Sequence, residues 1–144
     1  MNTSRHGSNA EPSKITQLRD GFGRLLEGLE LILEAVGPRM VRFRASIHSN
    51  STPWRTWHLT WIQDDRFMHL ARALDEESSL KKCCVARDWV THLNLPNHRL
   101  DPGYGHNNEQ VADFGMHDGE YLLPYHRDVH ELAWAFRQRC ARAT

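Results

Sequence analysis

The sequence predicts an all-α domain, an antiparallel four-helix bundle with short connecting segments. Three observations predict it. Apolar residues recur at three- and four-residue steps over four stretches. The punctuation between those stretches (Gly37-Pro38, Ser51-Thr52-Pro53, Pro96) is that of helix ends and starts. Only Met40 to His48 alternates like a strand, and no second strand offers itself as a partner.

Residues 1–13 hold Asn, Thr, Ser, Gly, Glu and Pro with little to bury, and they read as a disordered tail before a single domain over 14–144. The first helix follows from Leu18, Phe22, Leu25, Leu26, Leu29, Ile32, Leu33 and Val36, with Glu27, Glu30 and Glu34 off the stripe. Met40 to His48 reads as an extended connection. The second helix starts at Ser51, a hydroxyl N-cap followed by Pro53 in the first turn. Trp54, Trp57 and Trp61 begin its apolar face, which runs to Leu74. A third helix runs from Ser79 through Cys83, Cys84, Val90 and Leu93. Asn94 to Asn108 is a loop, and Glu109 to Phe114 a short helical turn. Asp118 caps a last long helix reaching Arg142, with Pro124 expected to kink or loosen its first turns.

The 144 residues carry 18 basic and 18 acidic side chains. A net charge of zero argues against an electrostatic grip on nucleic acid or an acidic membrane. No apolar run is long enough to span a bilayer, and the polar start lacks a signal-peptide core. Three Cys, two of them adjacent, give no disulfide framework, which points to a reducing cytosol. Adjacent helical residues point about 100° apart, so Cys83 and Cys84 cannot both face one site and read as core or boundary.

Ten histidines are the unusual feature. Seven sit in the tail, in connections or on charged flanks. Three do not. His58 lies on the tryptophan face of the second helix, between Trp54 and Trp61. His126 and His130 stack four apart on one face of the last helix, flanked by Leu122, Leu123, Ala133 and Trp134. Buried imidazoles need partners. One explanation is a divalent metal held by three neutral imidazoles with open coordination, as in catalytic sites. The other is a set of core histidines hydrogen-bonded to backbone or carboxylates.

The segment Trp54-Arg55-Thr56-Trp57-His58-Leu59-Thr60, continuing to Gln63-Asp64-Asp65, resembles the helix-two motif of DinB/YfiT-like proteins in their mycothiol-transferase-like branch. Asp101-Pro102-Gly103-Tyr104-Gly105-His106, continuing to Glu109-Gln110-Val111, is similar to that branch's loop, and Tyr125-His126-Arg127-Asp128-Val129-His130-Glu131 to its last-helix segment. The three occur in the family's order and cover about residues 16–142. Arg66 and Pro124 depart from its pattern.

The resemblance implies a four-helix bundle binding zinc, nickel, iron or manganese on His58, His126 and His130. It implies a small-molecule substrate, activation of a thiol such as mycothiol (or of water) for transfer or isomerisation, and a homodimer. Asp65, seven residues after His58 on the same face, is the candidate carboxylate orienting a ligand imidazole, or else a surface partner of Arg66, Arg72 or His69. His106 is the candidate acid/base or substrate contact, and Tyr104 a candidate donor to a substrate oxygen, unless this glycine-rich stretch is an ordinary surface turn. Arg127 and Glu131 read as a solvated pair. Two rival readings remain. Arg87 and His92 fit the Arg-x4-His pattern of HEPN ribonucleases, also helical bundles. A non-catalytic metal-binding bundle is the other.

Overall fold

A computed structural model describes residues 14–36, 44–74, 82–93, 102–113 and 120–143. The N-terminal tail, Ser79 and Asp118 lie outside the described residues. Among the described residues there are six helices: α1 (Lys14–Ala35), α2 (Thr52–Leu74), α3 (Cys83–Ala86), α4 (Trp89–His92), α5 (Asn108–Asp113) and α6 (Leu122–Ala143). Among the described residues there is no strand. No helix there is long and apolar enough to cross a membrane.

The second helix begins as its caps require. Ser51 Oγ accepts the Trp54 N–H at 3.2 Å, and the Ser51 carbonyl accepts the Arg55 N–H at 3.0 Å. Before it, the described part of the strand-like segment is a turn, residues 44–50. The Arg44 guanidinium gathers the carbonyls of Ile47, Ser49 and Asn108. Those carbonyls find a side chain where a strand would need a neighbour.

The third expected helix is broken. Within 82–93 there are two single turns, α3 and α4, separated at Asp88, whose φ of 53° is left-handed. The break lets two donors reach one acceptor: Arg87 pairs with Asp128 of α6, and the Trp89 indole donates to the same carboxylate at 2.8 Å. The short α5 is closed by a reciprocal cap, Gln110 N–H to Asn107 Oδ1 and Asn107 N–H to Gln110 Oε1, both 2.9 Å. Because α6 begins at Leu122, Pro124 falls in its first turn. The N–H that proline lacks is unused there, so the expected kink has no cause.

The core joins Trp54, Trp57 and Trp61 of α2 to Cys83 and Cys84 of α3, Val111 of α5, and Leu122, Tyr125 and Val129 of α6. Lys82 places its ammonium 3.6 Å from the Trp61 ring centre. On α1, by contrast, none of the residues with described side chains is fully buried, and Leu18, Leu31 and Ile32 are exposed. It is held to the rest by Phe22 against Phe67 of α2, centroids 5.5 Å apart, and by Glu30 with Arg127 of α6 at 2.8 Å. Arg127 therefore pairs across helices and not with Glu131.

Candidate functional site

His126 is wholly buried, on the face of α6 that meets α2. Its environment fixes its proton. Thr60 Oγ1 donates its only hydrogen to the Thr56 carbonyl at 2.7 Å. The hydroxyl can then only accept from the ring, so Nδ1 of His126, 2.8 Å away, carries the proton. The lone pair is left on Nε2, which is buried without a hydrogen-bond partner. Burial, then the neighbouring His130, push the pKa of His126 down to about 4, so the ring is neutral.

His130, one turn on, is half-buried. Its Nε2 accepts the Trp134 indole N–H at 2.7 Å, and its Nδ1 is buried without a partner. Burial lowers its pKa too, against an opposing pull from Glu131. Two rings one turn apart thus each keep one buried nitrogen unsatisfied, which native interiors rarely tolerate.

His58 sits elsewhere on α2. It lies two positions before Thr60, so the two point about 160° apart around the helix. Its Nδ1 donates to the Pro102 carbonyl at 2.5 Å, the contact that in a neutral ring places the lone pair on Nε2. Its ring stacks on Trp54, centroids 4.7 Å apart, and meets Tyr104 edge-on at 5.1 Å. His106 lies parallel to Trp57, and its Nδ1 accepts the Trp54 indole N–H at 3.1 Å. Tyr104 is 70% exposed. The turn holding them needs its glycines. Gly103 and Gly105 have φ of 85° and 76°, and a Cβ on Gly103 would lie 2.7 Å from Trp57 Cζ3. His58, Tyr104 and His106 therefore form an aromatic cluster around Trp54 and Trp57, while His126 and His130 form a pair on α6. Among the described residues, no group of three or more His, Cys, Asp or Glu side chains is placed to hold a metal ion.

Asp65 contacts none of the three imidazoles. It pairs with Lys82, and with His69 at 3.6 Å. Its neighbour Asp64 is the buried carboxylate, 5% exposed. Asp64 accepts the Cys83 and Cys84 N–H groups at 2.7 and 2.9 Å, capping α3 from another helix, and the Tyr125 hydroxyl at 3.3 Å. Burial raises its pKa, opposed by those hydrogen bonds. Sequence reasoning missed it. The signal was its place three residues after Trp61 and seven after Trp57, a charge on the tryptophan face. Burial, then Asp64, push both cysteine thiols up to about 12, so they are inert core groups. Arg87 is engaged by Asp128, and His92 Nδ1 lies 2.9 Å from the Asp88 carbonyl on the far side of the helix break.

No protein-family model matches the chain. No curated protein matches it either.

Proposed function

We propose that the chain is a metal-dependent enzyme of the DinB-like kind. It activates a low-molecular-weight thiol, mycothiol or a relative, or water, for transfer to or isomerisation of a small electrophile. The observation that carries this reading is the His126 ring: fully buried, neutral, its Nδ1–H held by Thr60 and its Nε2 lone pair without a partner. That is the form in which imidazole ligates a metal, with an oxygen acceptor fixing the opposite nitrogen. The Nδ1 of His58 is likewise held by an oxygen acceptor, the Pro102 carbonyl. His130 keeps one buried nitrogen unsatisfied while its other accepts from Trp134.

Neutral imidazole suits zinc, nickel, iron or manganese. His126 would hold the ion through its Nε2 lone pair. To join it, His130 would have to exchange the Trp134 contact on its Nε2, and His58 would have to turn in from the Trp54 cluster. Such an ion supplies the positive charge that deprotonates a thiol or water near neutral pH. The chain's own residues do the rest. Thr60 orients the His126 ring. Trp134 holds the His130 ring through its indole N–H. Burial disfavours the charged form of both imidazoles. Tyr104 and His106 stand beside His58 for substrate contact. We assign a homodimer in a reducing cytosol, in line with the buried free thiols of Cys83 and Cys84.

Elemental analysis of the purified full-length protein tests the proposal. About one transition metal per chain is expected, lost in His126→Ala and kept in His92→Ala. Wild-type protein that takes up no metal from zinc, nickel, iron or manganese solutions would refute it.

A further inference from the structure

The side of α1 that looks onto α6 is charged where a bundle helix is usually apolar. Arg19, Asp20, Gly23, Arg24 and Glu27 line one wall of a cavity of about 670 Å3. His130, Trp134 and Gln138 of α6 line the other. The Glu30–Arg127 ion pair ties the two helices together one turn beyond Glu27. The two helices therefore run antiparallel along the cavity.

Opposite charges three or four apart on a helix are neighbours and tend to pair. Asp20 with Arg24 and Arg24 with Glu27 have those spacings, yet among the described residues neither couple forms an ion pair. Arg24 instead anchors its Nε on the Asp20 carbonyl at 3.3 Å, which leaves its two terminal amino groups for another partner. Two guanidiniums and two carboxylates thus face the cavity with no ion pair among the described residues. The indole of Trp134 offers a flat apolar surface among them.

We infer that this cavity is a binding site for a small zwitterion of the amino-acid class. Its carboxylate sits on Arg19 and Arg24, where a guanidinium fork matches two oxygens. Its ammonium sits between Asp20 and Glu27, and its side chain packs on Trp134. The volume lies within the range of small-molecule pockets. Because His130 lines the same space, a bound molecule lies beside the imidazole pair. That link to chemistry rests on the proposed function; the binding itself does not.

Gly23 makes a clean test. A Cβ there meets no atom within 4 Å, so a larger side chain enters the cavity without straining the helix. Gly28 is equally open and does not line the cavity, so it serves as the control. The full-length protein is titrated calorimetrically with the free L-amino acids, cysteine included. The best binder is then compared with its N-acetyl and carboxamide forms. At least one amino acid should saturate below about 10 mM, and each blocked form should bind at least about tenfold more weakly. Gly23→Leu and Arg24→Gln should each weaken binding by about tenfold or more, while Gly28→Leu binds as wild type. Absence of saturation, equal binding of either blocked form, or unchanged binding by Gly23→Leu or Arg24→Gln would each overturn the inference. Wild-type protein that binds the zwitterion but no metal refutes the proposed function alone. Metal binding without zwitterion binding refutes this inference alone.

Discussion

The last helix has two unlike faces. Toward α2 and α3 it is closed: Tyr125, His126 and Val129 are fully buried, and their polar atoms engage Asp64 and Thr60. Toward α1 it is open: Arg127 is exposed, and His130, Trp134 and Gln138 border a cavity walled by charge. One face is built by desolvation, where an unmatched polar atom, as at His126 Nε2, is costly. The other is built by solvated charge, where little is fixed. His126 and His130 are a single turn apart, yet they belong to these two regimes. The difference teaches that helical spacing aligns two side chains without giving them one environment.

If the closed face depends on matched polar groups, removing a matching group there should cost most. Asp64→Ala strands two backbone N–H groups and a tyrosine hydroxyl in the interior. It is expected to lower unfolding free energy by about 4 kcal/mol, read from the denaturant midpoint. A loss under about 1 kcal/mol would mean that water reaches these donors.

The next effect is smaller and depends on pH. The folded pKa of His126 lies near 4, below the ordinary 6.5. The stability it contributes is present above pH 6.5 and is lost as pH falls through about 4. In metal-free protein, the difference between wild type and His126→Gln should shrink by about 3 kcal/mol across that window. Parallel curves would show that the ring charges freely in the fold.

The open face should respond least. Arg127→Ala removes the pair with Glu30, whose side chains are 47% and 30% exposed. A loss of about 0.5 kcal/mol, reduced further by salt, is expected from thermal unfolding. A loss above about 2 kcal/mol would place this contact in the other regime.

These contrasts mark what could be read in the sequence. The spans of α1 and α2, the Ser51 cap and the core role of Cys83 and Cys84 were legible, because helical period and hydroxyl-proline starts are local signals. The left-handed Asp88 was not. Its neighbours Arg87 and Trp89 are drawn to Asp128, some forty residues away in sequence, and nothing local announces that contact. The late start of α6, which makes Pro124 harmless, was hidden by the same dependence on distant packing. In the site, the spacing of His126 and His130 and the glycine turn at Gly103 were visible. Charge alone does not separate Asp64 from Asp65, but the tryptophan period favours Asp64 for the interior.

The Thr56–Thr60–His126 relay carries one more consequence. Its terminus is a main-chain carbonyl, an acceptor that no substitution at position 56 can delete. The choice of which imidazole nitrogen keeps its hydrogen is thereby inherited from the backbone of α2 and depends on a single oxygen, the hydroxyl of residue 60. Valine there would preserve the shape of the packing and erase the instruction.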